Sequence, residues 1–232
     1  MKTIITDENI CSVNEKILST VAKFVQSNQS RFDLQPIYVI VPDRATLQTE
    51  KFLASKCSCL LNVRVLTFSM LYNVLHGESN IQVLDKTSGV LFTWQAIRAV
   101  RESLRYFHKS VDQYAFAEKM FNTINQLKSC MADFKCLERN SNTEITKRKM
   151  HDISLIQSEY KRLTSEYLDG SGILGWLIDN IGKCDLLKDV HMYVTGFEHL
   201  SVQRMEIIRL LQAKAKSFTM GVQNGTEVSF AM

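Results

Sequence analysis

No apolar run in the chain approaches the roughly 18–20 residues a helix needs to cross a bilayer, which excludes a membrane-spanning reading. The opening stretch, MKTIITDEN, has one lysine but neither an apolar core nor a small-residue cleavage site. A cytoplasmic protein without a signal peptide is therefore expected. Zinc spacing is missing as well. Cys57-Ser58-Cys59 is too tight for a two-residue knuckle, and no second Cys or His pair stands at ligand distance. The six cysteines read as reduced, mostly buried thiols. Strong charge of one sign is absent too. The 28 basic and 24 acidic side chains leave +4, which neither requires nor opposes a nucleic-acid partner. Repeats and low-complexity segments are missing, and so are a nucleophile elbow and a metal quartet. Asp133, Glu138, Asp152 and His151 supply carboxylates and an imidazole without a paired motif. His151 and Asp152 are sequential, so on a helix their side chains point apart. No catalytic residue and no metal site is assigned.

What is present is an ordinary globular composition, 45% apolar and 22% charged, enough for a sizeable core. Its most informative stretch is Ile37–Thr46, IYVIVPDRAT. Ile37 to Val41 is short, apolar and without alternation, so it reads as a strand buried on both faces of a parallel sheet. Pro42 ends it. Asp43 stands where the N-cap of a helix over 45–56 is expected. In open α/β sheets, ligands bind at the carboxyl ends of strands, which makes Asp43, Arg44 and Thr46 the first candidates for function.

Around that strand, Thr3–Thr6 and Val63–Thr67 read as further strands. A helix through Val13, Ile17, Val21 and Phe24 and a short one over 70–75 separate them, followed by a polar break over 76–80. From about 85 to 183 the text is almost wholly helical. Its stripes run through Val90, Trp94, Ile97 and Leu104, through Tyr114, Phe121, Ile124 and Leu127, through Ile153, Ile156, Tyr160, Leu163 and Tyr167, and through Ile173, Leu177 and Ile181. Ser171 is the expected cap of the last of these helices. Strand text returns at Met192–Thr195, a helix capped by Ser201 covers 202–214, and Ser217–Val222 is a final strand. The expected fold class is α/β, a parallel-sheet domain interrupted by an all-helical insertion. Residues 1–84 and 187–232 form the discontinuous sheet domain and 85–186 the insertion. The text after Gly221 stops soon after a strand without a closing helix, as in a fragment of something longer.

A sheet domain split by a helical block resembles the first motor domain of superfamily 1 helicases. VPDRATLQTEKFL, VRVLTFSMLYNVL, KRKMHDISLIQSEYKRLTSEYLD and MYVTGFEHLSVQRMEIIRLL, in that order, resemble the N-terminal region of the AddB/RexB family. This is the B subunit of a bacterial ATP-dependent helicase–nuclease. The family pattern is roughly VP(D/E)Q-x-(S/T), then SFSRL, then iDGF-x-xF-(S/T)-x-Q, each at a strand end. The resemblance covers essentially the whole chain but only the first part of the family's much longer subunit. It implies a degenerate RecA-like, helicase-like domain that binds and scans single-stranded DNA during double-strand-break repair by homologous recombination. Its partner would be an A-type (AddA/RexA-like) helicase–nuclease subunit. The alternative is a motor fold kept only as a docking scaffold for that subunit.

The positions carried over as DNA-binding are Arg44 and Thr46, then Phe68, Ser69, Met70 and Asn73, then Phe197, His199 and Leu200. Arginine can fork to phosphate, hydroxyls can bond it, and an aromatic can stack on an unpaired base. Met70 stands where the family usually has Arg and Asn73 where an aromatic is frequent, which weakens hotspot specificity more than DNA contact itself. Two basic patches are added. Arg98, Arg101 and Arg105 are spaced to share one helical face, and Lys147-Arg148-Lys149 opens another helix. Nucleotide chemistry is not expected. The place of a phosphate loop, G-x-x-x-x-G-K-S/T, reads Thr6-Asp7-Glu8-Asn9-Ile10-Cys11-Ser12, and Thr195-Gly196 replaces the metal-binding acid pair. No cofactor is expected, and hydrolytic activity would belong to the longer parent.

Overall fold

A computed structural model describes residues 2–30, 33–77, 82–139 and 143–223. In chain order the elements are β1 (Lys2–Asp7), α1 (Ile10–Ser30), β2 (Ile37–Ile40), α2 (Thr46–Lys56), β3 (Val63–Leu66) and α3 (Phe68–His76). There follow β4 (Gln82–Val83), α4 (Lys86–Ala99), α5 (Tyr114–Ser129), α6 (Phe134–Arg139), α7 (Glu144–Leu163), β5 (Tyr167–Leu168) and α8 (Gly170–Asn180). The series ends with β6 (His191–Val194), α9 (Val202–Lys214) and β7 (Ser217–Gln223). The expected polar break over 76–80 lies partly outside the described residues, as do the text after Gln223 and the Glu138 side chain.

The fold class is the expected one, α/β with a parallel sheet and a helical interruption. Five strands pair in the order β1-β7-β6-β2-β3, every neighbour parallel. The late strand β6 lies between β2 and β7, in register Ile40 with Val194 and Val194 with Met220. The chain therefore returns to the same sheet after its helices. All four residues of β2 are buried, whereas the edge strand β1 alternates. The two outermost strands are the ones with an unpaired side, and their exposed positions follow from that.

The chain divides into two compact units. The first takes the described residues of Met1–Glu78, Trp176–Leu200 and Arg204–Met232, the second those of Ser79–Gly175 and Ser201–Gln203. In the first, Val13, Ile17, Val21 and Val25 recur along one face of α1 and pack with Ile37, Val39, Leu53 and Tyr193. Gly221 is a close approach. A Cβ there would run into Val13 and stand 3.2 Å from Ile17, so its absence lets α1 lie directly on β7. The second unit is held by Val90, Ile97, Phe121, Ile124, Ile153, Ile156 and Tyr160. It also contains the two-stranded parallel pair β4-β5.

Several local expectations need correction. The helix begun at Lys86 stops at Ala99, where Val100 leaves helical geometry (φ −99°, ψ 9°), so Leu104 is in an extended link. Tyr167 lies in β5, not on the helix that ends at Leu163. Ile181 falls in a 3₁₀ turn. The cap of α8 is Asp169, whose Oδ1 accepts from Gly172 N (2.6 Å), while Ser171 sits in the first turn and donates to that same oxygen (2.8 Å). A carboxylate at this place adds a negative charge and a second acceptor oxygen that a hydroxyl lacks. Of the six cysteines only Cys57 is buried. Cys11, Cys59 and Cys130 are exposed because they fall at a helix end or in short links, and Cys136 is exposed on the short helix α6.

Candidate functional site

The adjacent strands β6, β2 and β3 end at one edge of the sheet, and two backbone bonds extend the ladder past their last residues. Thr195 N donates to Ile40 O and Val41 N to Leu66 O, each at 3.0 Å. The loops that follow therefore leave side by side. In the first, Pro42 is extended (φ −65°, ψ 152°) and Asp43–Ala45 form a 3₁₀ turn ahead of α2. Asp43 is not the side-chain cap expected of it. The turn closes through Ala45 N on Pro42 O (2.8 Å), and the Thr46 hydroxyl donates to the Asp43 carbonyl (3.1 Å). The Asp43 carboxylate is left in solvent. In the second loop Thr67 caps α3, its hydroxyl accepting from Met70 N (3.2 Å), so the helix starts at Phe68, two residues before the expected 70. That start turns Phe68 inward and Ser69, Met70 and Asn73 outward. In the third, Gly196 has φ +85°, and a Cβ there would stand 3.0 Å from Pro42 Cδ. Only glycine takes both that conformation and that approach without strain.

Phe68 and Phe197 meet with ring centroids 5.5 Å apart. Phe68 is buried, and the guanidinium of Arg204, in the first turn of α9, lies 6.0 Å from its ring centre. Phe197 is half-buried and is the more accessible ring. Arg44 reaches across to Glu198 (2.7 Å), with both side chains at least half exposed. His199 is exposed and Leu200 half-buried in the same loop. The strand-end candidates thus gather in one place. Arg204 and Glu198 belong to the group as well, although nothing in the local text of either points to it. A charged residue one turn into a helix reads as a solvated face until the ring beneath it is known.

Arg98 and Arg101 lie in the helical unit and do not share the face expected of them. Arg98 packs over the Trp94 ring (5.5 Å), and Arg101, in a 3₁₀ turn, pairs with Asp112 (3.4 Å). The helix that was to align them with Arg105 ends too early. Asp152, completely buried, then accepts from the N–H groups of Arg105, Tyr106 and Phe107 (2.8, 2.8 and 2.9 Å) and draws that segment onto α7.

The family model described as "ADDB, N-terminal" matches residues 14–227. The chain belongs to the AddB N-terminal family. Among curated proteins it is similar to the B subunits of the ATP-dependent helicase/deoxyribonuclease of Staphylococcus aureus strains MRSA252 and JH9, each 28% identical over 195 residues. That stretch takes in 79% of this chain but 17% of each relative, so the chain corresponds to a small part of the relatives it matches.

In this AddB-type domain the amino end of α1 is the position a phosphate loop would occupy, and a carboxylate stands beside it. Asp7 accepts from Glu8 N (2.6 Å), from the Ser12 hydroxyl (2.7 Å) and from the Lys16 ammonium (2.5 Å). Lys16, then Ser12 and the Glu8 N–H, hold its carboxyl well below the usual carboxylate range. Asn9 Oδ1 takes the Cys11 N–H (2.8 Å). After β6, the Thr195 hydroxyl donates to Asn14 Oδ1 (2.6 Å) instead of presenting a metal-binding acid. Among the described residues no three His, Cys, Asp or Glu side chains are grouped to hold a metal ion, and no helix is long and apolar enough to cross a membrane.

Proposed function

We propose that this AddB-type domain is a non-catalytic, helicase-like module that grips single-stranded DNA at the carboxyl ends of β6, β2 and β3. In this reading a partner A-type helicase–nuclease subunit supplies ATP-driven translocation during the processing of double-strand breaks for recombination. The observation that carries it is that, at the adjacent carboxyl ends of β6, β2 and β3, Arg44 meets Glu198 and Phe68 meets Phe197, with Ser69, Met70 and Asn73 exposed on α3 and His199 exposed after β6. Phe197 offers a ring on which an unpaired base stacks, an interaction worth about 1–3 kcal/mol. The Arg44–Glu198 pair is exposed, and such pairs contribute about 0–1 kcal/mol, so a phosphate can take the guanidinium from Glu198 at little cost. Ser69 and Asn73 add neutral donors. The relatives are named as one subunit of a helicase/deoxyribonuclease, which supports an assembly with at least one further subunit.

The test is fluorescence anisotropy of a labelled single-stranded oligonucleotide with the intact protein and its Arg44→Ala and Phe197→Ala variants. Each variant is expected to weaken binding about tenfold, the stacking variant by a factor that varies little with salt. Unchanged affinity in both defeats the reading. A second reading, a docking scaffold for the partner subunit, draws on the burial of Phe68 and the internal pairing of Arg44. It predicts instead that the variants lose co-purification with that subunit while DNA affinity stays the same.

A further inference from the structure

The helical unit contains a cleft of about 700 Å³ lined by Arg105, Arg139, Lys147, Arg148 and His151, with the Ser154 and Ser158 hydroxyls along its floor. Four of these are permanent cations, drawn from three separate segments: the link after α4, the end of α6, and the first turns of α7. The lining has a single carboxylate, Glu144, which touches Arg148 (Nε to Oε1, 3.2 Å). No ion pair holds Arg105, Arg139 or Lys147 among the described residues. Like charges brought together repel, so the arrangement costs folding free energy unless an anion offsets it.

The position of Arg105 is built. Buried Asp152 fixes the backbone of Arg105, Tyr106 and Phe107 against α7, and the Lys149 ammonium lies over the Tyr106 ring (4.7 Å). Asp152 follows His151 in sequence, so one helical turn both lines the cleft and anchors the segment that supplies its arginine. From Lys147 to Ser158 the lining follows α7 for about 16 Å at 1.5 Å per residue. A single phosphate would use only a fraction of that length. A nucleic-acid strand, with a phosphate about every 3.4 Å along the helix axis, would present several.

We infer that this cleft is a phosphodiester-binding site that holds the backbone of a DNA strand through Arg105, Arg139, Lys147 and Arg148, independently of base sequence. It is separate from the strand-end group, and the proposed function bears on it only in the choice of DNA as ligand. Leu155 is the one apolar side chain in the lining and no Phe, Tyr or Trp ring is there, so the cleft is suited to a backbone more than to bases.

The experiment is anisotropy of a labelled oligo-dT of about 20 nucleotides with the intact protein across a salt series. It compares Arg139→Glu/Lys147→Glu with a control of equal charge change, Lys23→Glu/Lys51→Glu, all four positions being exposed. The cleft variant is expected to bind at least tenfold more weakly at low salt. Its slope of log affinity against log salt should be shallower by about 1.4, the value for two lost contacts to a single strand. An equal loss in the control would reduce the effect to overall charge and overturn the site. An unchanged cleft variant would overturn it as well. If polyglutamate of matched charge competes as well as unlabelled oligo-dT, the ligand is any polyanion and the DNA assignment falls. Phe197→Ala read in the same assay separates the two sites. Loss in both variants supports both, whereas loss in only one of them defeats the other site alone.

Discussion

Asp169 is 7% exposed and has four donors on its two oxygens: Lys128 Nζ and the Tyr160 hydroxyl at 3.0 Å, the Ser171 hydroxyl at 2.8 Å and Gly172 N at 2.6 Å. Burial by itself would raise its carboxyl, but the Lys128 charge, with the bonds from Lys128, Gly172 and Ser171, outweighs that and leaves it below the usual value. The Tyr160 phenol moves upward, through burial first and the neighbouring carboxylate second. A carboxyl depressed in the folded state stabilises the protein fully above its unfolded pKa, about 3.9, and that contribution is lost as pH falls through the folded value. Asp169→Ala should therefore cost about 3 kcal/mol at pH 7 in urea unfolding. The gap to the parent protein should narrow below about pH 4. A gap independent of pH would show that the charge of Asp169 contributes nothing. At this scale the sequence is a partial guide. Thr46 was legible as a strand-end polar group because the strand end itself was, whereas Ser69 and Asn73 came only from the family resemblance. The role of Asp169 was not, because its donors Lys128 and Tyr160 come from two other helices and only packing brings them to it.

Helix ends were the least legible elements, and one of them moved a whole set of basic residues. The apolar stripe of α4 continues in the text through Val100 and Leu104, so periodicity alone carries the helix on past Ala99. What holds residues 105–107 out of that helix is Asp152, some fifty residues later, which takes their three backbone N–H groups. Asp152→Ala leaves three N–H groups without their acceptor and should destabilise the protein by about 3 kcal/mol. Faster amide exchange confined to residues 105–107 and their neighbours is the accompanying sign. Exchange that rises evenly through α4 and α7 would mean that Asp152 serves the unit as a whole and does not hold this segment. The five strands of the main sheet, by contrast, were legible to within a residue or two, whereas the two-residue strands β4 and β5 were not. Each of the five is a compact β-branched or apolar run bounded by a proline, a glycine or a polar residue, and β2, buried on both faces, carries the plainest signal of all.

For the molecule as a whole, the parallel sheet and the interruption by helices were readable from the change of texture along the chain. The state of the α1 amino end was readable only in part. The missing glycines and lysine were evident, but not that the Asp7 carboxylate would stand beside the start of α1, bonded to Ser12 and Lys16. With that carboxylate already in place, a nucleotide triphosphate meets a negative charge where it needs donors. The intact chain is expected to show no DNA-stimulated ATP hydrolysis above background in a phosphate-release assay. A rate that rises with added single-stranded DNA would refute this.

The order of strands in the sheet also has a consequence in time. β1 has β7 as its only neighbour, and β2 and β3 are joined to β1 only through β6 and β7. About 150 residues separate the end of β3 from the start of β7, and at about 5–20 residues per second their synthesis takes on the order of ten seconds. Throughout that interval β1 waits without its partner, while the helical residues that form mostly local contacts emerge and can pack; β2 can pair with β3, but its other edge stays open until β6 is made. The chain is thus translated with its slowest-closing part first, and the time to first complete sheet is governed by the ribosome as much as by the fold.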